Sequence, residues 1–243
     1  MSSPNLQSIL LSKKWFGFDL DDTLHEFRKA SGQASQSVFE TIHATFGVDI
    51  NTLKTSYQEI LCMATANAFT DGRSSTDYRR ERFTRLLQTQ GLGSTNEFVD
   101  HLLDVYESSL RHSLTLKPGA LSLLQTLQRL EKKVIVVTEG PADSQRWTIE
   151  ELGLAPYVSV LVTTNEVGRS KVDGLFGTVL EKYAIAAEDI VYFGDNEVRD
   201  IQAAQGEGIL AVLYNEKQET ELQNLGALKL NSWQALQDIL VQK

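Results

Sequence analysis

Residues 15–23 read WFGFDLDDT, an aromatic-rich stretch that runs directly into the acids Asp19, Asp21 and Asp22. Apolar alternation followed by acids predicts a short buried strand that ends at a polar edge. A strand buried on both faces is typical of a parallel sheet, and such sheets bind ligands at the carboxyl ends of their strands. If extended geometry continues past the strand, Asp19 and Asp21 face the same side. We therefore expect this edge to carry a functional site.

The three acids of this stretch lie within four residues of one another. Carboxylates at this spacing repel each other, and burying them without partners is costly. A divalent cation removes the repulsion, and oxygen-only ligands suit magnesium. The alternative is an acidic turn that only caps the following helix, and the stretch by itself does not decide between the two.

Composition limits the class of protein. The chain has 243 residues, enough for one α/β domain or for a core with an inserted subdomain. Its formal net charge of −9 argues against a nucleic-acid polymer as partner. The single cysteine, Cys62, excludes an internal disulfide, and its small apolar neighbours favour a buried or half-buried position. We find no apolar run of membrane-spanning length and no secretory signal, so by default we expect a cytoplasmic protein without membrane contacts.

A block without strand-like runs extends from about residue 29 to residue 112, and its apolar residues recur at helical spacing. Breaks at Gly47, at residues 71–75 and at residues 91–94 divide the block into about four helices. Residues 1–13 look like a loose lead-in to the first strand. A further helix is expected to open at Pro118, with leucines 121, 124, 127 and 130 as its apolar stripe.

From residue 133 onward the pattern alternates between strands and helices. Strands are predicted at residues 133–138, 158–162, 189–193 and 209–213, and Ser232 is expected to cap the last helix. Strands separated by helices imply an α/β fold with a doubly wound, parallel, Rossmann-like sheet. The helical block then interrupts this sheet. We predict a discontinuous α/β core of residues 1–28 and 115–243, with an inserted α-helical subdomain of residues 29–114, which the family resemblance described below identifies as a cap on a catalytic core.

Further polar residues lie at or near the ends of other predicted strands. Thr138 ends the strand at 133–138, and Lys171 lies in a polar loop. Asp195 follows the strand at 189–193, with Asp200 five residues on. Each has an ordinary alternative: a helix N-cap for Thr138, a solvated lysine, a turn residue and a first-turn helix acid. Their joint occurrence in this order, after the acids of the first strand, favours one shared site.

This set of motifs resembles the haloacid dehalogenase superfamily, in its phosphatase branch. The resemblance covers the predicted core, residues 15–23 and 117 to the end, whereas the helical insert matches only in its position after the first motif. Asp19 and Asp21 match the first motif, Thr138 the second, Lys171 the third, and Asp195 with Asp200 the fourth.

The resemblance implies roles for the acids. Asp19 would be the nucleophile that forms an aspartyl-phosphate, and Asp21 would protonate the leaving alcohol and then deprotonate the attacking water. Magnesium would be held by the Asp19 carboxylate, the Asp21 backbone carbonyl and Asp195. The cation would reduce the repulsion between an anionic nucleophile and an anionic phosphate.

The resemblance also implies how the phosphate is held. Thr138, Glu139 and Lys171 would bind the phosphoryl oxygens, through the threonine hydroxyl, backbone N–H groups and the ammonium group. Asp200 would position the metal shell or Lys171. Two residues depart from the family pattern, since Glu139 and Arg199 occupy places where asparagine is common. We expect Arg199 to pair with a nearby acid or to compensate for Glu139, and both departures bear on substrate preference.

Candidate substrate contacts lie outside the matched motifs. His25 is close to the expected hinge, and Arg73 and Arg79 lie in GRSSTDYRRERFTRLL, residues 72–87. An alternative for the arginines is a solvated helix face that pairs with Asp77 and Glu81. His25 is equally well explained as a linker residue.

These observations predict a magnesium-dependent phosphatase, monomeric or homodimeric, that hydrolyses a small phosphomonoester of the nucleotide or sugar phosphate class. One alternative is a phosphomutase with the same nucleophile. Another is a catalytically idle protein that keeps the fold for binding or regulation. A dehalogenase is less favoured, because Asp21 supplies an acid that an oxygen leaving group needs and a halide does not.

Overall fold

The strand predicted at Trp15 lies in the middle of a parallel sheet. The structure is a computed structural model that describes residues 6–64, 69–221 and 228–242. Within these ranges the strands are β1 (Trp15–Phe18), β2 (Lys133–Thr138), β3 (Val160–Thr163), β4 (Ile190–Gly194), β5 (Leu210–Tyr214) and β6 (Leu228–Leu230). They form a six-stranded sheet in the order β3-β2-β1-β4-β5-β6, and every pairing is parallel. The doubly wound α/β fold is therefore confirmed.

Helices connect the strands and supply the insertion. The described α-helices are α1 (Leu6–Ser12), α2 (Phe27–Phe46), α3 (Ile50–Ala64), α4 (Ser75–Thr89), α5 (Asn96–Ser113), α6 (Ala120–Arg129), α7 (Ala142–Glu151), α8 (Thr164–Val167), α9 (Leu175–Lys182), α10 (Ala203–Gly206) and α11 (Trp233–Val241). A π-helical turn at Glu197–Gln202 leads into α10. Among the helices of the described ranges, none has the length and apolar character needed to cross a membrane.

Burial on both faces explains why β1 occupies the centre of the sheet. Phe16 and Phe18 are fully buried on one face, beside Phe193 of β4. Gly17 points to the other face, where an added Cβ atom would lie 2.7 Å from the Tyr192 ring. The neighbouring ring thus fills the space that a side chain at this position would take. Close packing of this kind gives the first motif a rigid base.

The insertion forms an apolar cluster of its own. Helices α2 to α5 bury Val38, Ile42, Phe83 and Leu102 against one another, separately from the two clusters on the sheet. Helix α2 ends at Gly47, whose φ of 74° lies in the left-handed region that favours glycine. Four helices and the breaks between them agree with the sequence prediction.

Several local predictions were wrong. Residues 6–12 form helix α1, which Leu10 anchors in the core, so the expected loose lead-in is wrong for these residues. Residues 1–5 of that prediction lie outside the described residues. Strand β6 was missed because it has three residues. Helix α6 begins at Ala120, after Gly119, and its most buried leucines are 123, 124 and 127. Cys62 is exposed, because it lies on the solvent side of α3.

Candidate active site

The carboxyl edge of the sheet brings the predicted acids together. Asp19 follows β1, and Asp195 follows the adjacent strand β4. Asp200 returns to the same place from the π-helical turn. Asp19, Asp195 and Asp200 each offer a carboxylate oxygen, and these oxygens all lie within 4.8 Å of one another. The convergence of residues that are far apart in sequence is as the motifs predict.

Lys171 is the cation at the centre of this group. It is 3% exposed, and its Nζ lies 2.5 Å from Asp19 Oδ1 and 2.6 Å from Asp200 Oδ1. Burial by itself would lower the pKa of Lys171, but the charges of the two aspartates outweigh it and raise the pKa above its usual value. Lys171 is therefore an ammonium ion that neutralises part of the carboxylate charge. The solvated lysine of the alternative interpretation is wrong.

The Asp200 carboxylate is held by the elements around it. Its Oδ2 accepts a hydrogen bond from the Asn196 backbone N–H at 3.0 Å, and the Tyr192 hydroxyl lies 3.3 Å from its Oδ1. A Cβ atom added to Gly194 would lie 2.3 Å from Asp200 Cγ. The end of β4 therefore needs a glycine for Asp200 to reach Lys171.

The donor set at this edge fits a divalent cation. Burial, and then the charges of neighbouring carboxylates, raise the pKa of both Asp19 and Asp195, although Lys171 and Arg28 oppose this. Crowded, buried carboxylate oxygens are the ligands that magnesium prefers. The Asp200 carboxylate lies in this group and contacts Lys171, the residue that the resemblance implied it would position.

Arg28 contacts the open side of the acidic group. Its guanidinium group lies 3.1 Å from Asp195 Oδ2 and 3.1 Å from Asp22 Oδ2. Asp22 has a left-handed backbone with a φ of 60°, and this turn directs its carboxylate toward the start of α2. The Arg28 side chain is 70% exposed, so moving it away from the acids costs little free energy.

Asp21 belongs to a separate hydrogen-bond network. Its Oδ1 lies 2.9 Å from His25 Nε2, and its Oδ2 accepts a hydrogen bond from Gln145 Nε2 at 3.4 Å. Gln145 Oε1 in turn accepts from the Thr138 hydroxyl at 3.0 Å. This network joins the first two motifs through Gln145, which no sequence pattern indicated.

His25 is fully buried behind Asp21 and is not among the described residues that line the cavity. This corrects its place among the candidate substrate contacts. The contact of His25 Nε2 with Asp21 holds the Asp21 carboxylate in one orientation. The Phe27 ring packs edge-to-face against the His25 imidazole.

Glu139 and Arg199, the two departures from the family pattern, contact each other. Arg199 Nη1 lies 3.1 Å from Glu139 Oε2, and the Lys171 backbone N–H donates to Glu139 Oε1 at 3.1 Å. The pairing that the sequence suggested for Arg199 is confirmed. The Glu139 side chain therefore ties the second motif to the third.

A cavity of about 660 Å³ lies between this edge of the sheet and the helical insertion. The residues that line it include Asp19, Thr138 and Lys171 from the core and Arg79 from helix α4. Arg73 is not among the described residues that line the cavity. Its side chain is 40% exposed and pairs with Glu81. Arg73 precedes α4 and so lies on no helix face, although its pairing with Glu81 agrees with the solvated alternative.

Helix α4 also directs Arg82 to the cavity, three residues after Arg79. Neither Arg82 nor Tyr106, the ring beneath Arg79, was among the predicted substrate contacts. The signal was present in the spacing, because residues three apart share one face of a helix. The face that carries Arg79 could not be chosen from that pattern alone.

The comparisons with known proteins agree with this site. A model of the haloacid dehalogenase-like hydrolase family matches residues 13–208. The ribulose-1,5-bisphosphate 5-phosphatase of Halopiger xanaduensis is 25% identical over 84% of this chain and 85% of its own length. The pyrimidine 5′-nucleotidase PynA of Streptococcus pneumoniae is 24% identical over 93% and 94%.

Solved structures show the same fold. One is the HAD-hydrolase YfnB of Bacillus subtilis, in a form bound to magnesium, with a TM-score of 0.70 and 23% identity over 94% of this chain and 98% of that one. The family match extends over most of the chain and includes every residue of the acidic group. The chain therefore belongs to the haloacid dehalogenase-like hydrolase family, and it is a phosphatase of that family.

Proposed function

We propose that this protein hydrolyses a small phosphomonoester with the help of magnesium and through an aspartyl-phosphate on Asp19. The observation that carries the proposal is the buried Asp19 carboxylate at the floor of the cavity, with the Lys171 ammonium 2.5 Å from its Oδ1. The Thr23 hydroxyl donates to its other oxygen at 3.2 Å. A carboxylate held in this way is oriented for attack on a phosphorus atom.

The reaction has two steps. An Asp19 oxygen forms a bond to phosphorus while the bond from phosphorus to the ester oxygen breaks, and the alcohol leaves with a proton from the Asp21 carboxyl group. A water molecule then gives its proton to Asp21 and attacks phosphorus. The bond from phosphorus to Asp19 breaks, which releases phosphate and restores the carboxylate. His25 and Gln145 hold Asp21 for both proton transfers.

The remaining site residues bind and neutralise charge. Thr138, the backbone at Glu139 and Lys171 line the cavity and would hold the phosphoryl oxygens. Asp19 and Asp195, with the Asp21 backbone, would hold magnesium. The cation when bound supplies positive charge between the anionic phosphate and the carboxylates. Asp200 keeps Lys171 in place through its 2.6 Å contact.

The substrate is proposed to be a nucleotide or a sugar phosphate, the classes named for the bisphosphatase and nucleotidase relatives. We propose that residues 29–114 act as a cap over a core of residues 1–28 and 115–243. The cavity between the two parts supports this division. A lid of this kind excludes water and contacts the leaving group.

Hydrolysis of p-nitrophenyl phosphate with and without magnesium tests the proposal. We expect magnesium-dependent turnover by the wild type and a loss of at least about 10³-fold in Asp19→Asn, because an amide is not a nucleophile. Asp238→Asn is the matched control, since that carboxylate is exposed and, among the described residues, accepts a hydrogen bond only from Gln234 in the same helix. Turnover by Asp19→Asn equal to that of the wild type would refute the nucleophile. Absence of turnover by both proteins over a broad phosphate panel would favour an idle binding protein.

A further inference from the structure

The basic residues of the cavity fall into two groups. Lys171 has Asp19 and Asp200 as partners. Arg199 is paired with Glu139. Arg28 is paired with Asp22 and Asp195. Arg79 and Arg82, the two cap arginines, have no ion pair in the described part of the chain. The basic residues that line the cavity are Arg28, Arg79, Arg82, Lys171 and Arg199.

Aromatic rings, in place of carboxylates, position the two cap arginines. The Arg79 guanidinium lies over the Tyr106 ring at 4.9 Å, and the Arg82 guanidinium lies 5.8 Å from the Phe69 ring. A ring face attracts a cation without using its N–H groups. Arg82 also hydrogen-bonds to the Tyr57 hydroxyl, and further guanidinium N–H donors of the two arginines stay available for a ligand in the cavity.

A second observation points to a ligand at the same place. Arg82 Nε is buried and has no hydrogen-bond partner among the described residues. A buried donor without an acceptor costs free energy, so an acceptor that enters the cavity beside Arg82 would stabilise this arrangement. Burial raises the pKa of the adjacent Tyr106 phenol to about 12, so this hydroxyl also remains a donor at neutral pH.

The charges on the two sides of the cavity are opposite. The floor holds the crowded carboxylates of Asp19, Asp195 and Asp200. The cap side presents Arg79 and Arg82, in a chain of net charge −9. A phosphomonoester with an uncharged leaving group would satisfy the Lys171 side and leave both guanidinium groups without an anion. Planar guanidinium groups bind carboxylate and phosphate through paired hydrogen bonds.

We propose that the leaving group of the substrate carries a second anion, a carboxylate or a second phosphate, which Arg79 and Arg82 bind at the cap side of the cavity. This inference rests on the proposed phosphatase function, because it names the substrate class of the same site. It favours bisphosphorylated sugars and phosphorylated sugar acids over nucleoside monophosphates, whose leaving group is uncharged.

Matched substrate pairs test the proposal. One pair is 3-phosphoglycerate and glycerol 3-phosphate, which differ by the carboxylate, and the other is fructose 1,6-bisphosphate and fructose 6-phosphate. We expect kcat/KM to be at least about 10-fold higher for the member with two anions in at least one pair, since one good charged contact contributes about that factor. The pair that shows the preference distinguishes a carboxylate from a phosphate.

Variants of α4 connect the preference to the two arginines. In Arg79→Gln/Arg82→Gln the ratio within the preferred pair should fall to about 1, and Arg79→Lys/Arg82→Lys should retain part of it. Arg80→Gln is the matched control, because Arg80 lies on the same helix, pairs with Asp100 and does not line the described cavity. The ratio should be unchanged in this control.

Two outcomes overturn the proposal. The first is a wild type that hydrolyses p-nitrophenyl phosphate but shows no preference in either pair. The second is a preference that persists in the double glutamine variant. A binding measurement separates these outcomes from failure of the phosphatase function. In Asp19→Asn, which does not turn over, the member with two anions should raise the melting temperature more than its partner does in at least one pair. Adding the double glutamine substitution should remove that difference.

Discussion

Gly194 is the residue on which the position of the Asp200 carboxylate depends. The end of β4 passes so close to Asp200 that an added Cβ atom would lie 2.3 to 2.6 Å from its Cγ, Cβ and Oδ2. No side chain tolerates contacts this short, so the backbone or Asp200 would have to move. Movement of Asp200 would also break its 2.6 Å contact with Lys171. The absence of a side chain at Gly194 therefore permits the ion pair between Asp200 and Lys171.

Gly194→Ala tests this dependence. We expect the free energy of unfolding to fall by roughly 1–3 kcal/mol, the usual cost of overpacking, and phosphatase activity to fall with it. Gly206→Ala is the control, because that glycine lies in helix α10 with nothing within 4 Å of the added atom. It should leave stability unchanged or raise it by up to about 1 kcal/mol. Equal urea midpoints for the two variants would contradict the argument.

At the scale of elements, the start of α4 is held by helix α7. Ser74 caps the helix and forms a capping box with Asp77. From helix α7, the Asp143 carboxylate accepts hydrogen bonds from the Ser75 backbone N–H at 3.0 Å and from its hydroxyl at 2.8 Å. A carboxylate at the positive end of a helix dipole is favourable. These contacts set where α4, with its two arginines, lies relative to the sheet.

Asp143→Ala is expected to loosen this attachment. Loss of the charged hydrogen bonds to Ser75 should lower the free energy of unfolding by about 1–2 kcal/mol, measured by urea denaturation. Glu150→Ala is the matched control, since Glu150 is exposed on the same helix α7. The same loss in both variants would show that the contact with Ser75 contributes nothing specific.

At the scale of the whole molecule, the site joins strands that are distant in the chain. Asp19 and Asp195 are 176 positions apart, and their oxygens lie in one group only when the sheet is formed. A ligand of this group therefore binds the folded state and not the unfolded chain. Such binding stabilises the fold in proportion to RT ln(1 + [L]/Kd).

Magnesium is expected to raise the melting temperature of the protein. At a concentration of about 100 times Kd the gain in free energy of unfolding should be about 2.7 kcal/mol. Asp195→Asn should weaken the effect strongly, because it removes a negative ligand, whereas the exposed Asp238→Asn should keep it. A thermal shift of equal size in Asp195→Asn and the wild type would remove Asp195 from the metal site.

Local pattern was sufficient for most of the fold. Strand β2 has the predicted bounds of Lys133–Thr138, and the helical block divides into four helices at the predicted breaks. Both follow from the alternation or the helical spacing of apolar residues, which each segment carries in itself. Strand β6 and helix α1 escaped prediction because three and seven residues carry too little periodicity.

The sequence by itself determined the family, the parallel sheet and the acids that meet at its edge, because motif residues follow strands whose carboxyl ends lie together in this fold. Only the tertiary structure decided that His25 is buried behind Asp21, that Gln145 bridges Asp21 to Thr138, and that Arg82 faces the cavity while Arg73 faces solvent. These facts depend on which side of a helix or turn packs against another part of the chain. That choice is made by contacts between residues far apart in sequence, and no local spacing encodes it.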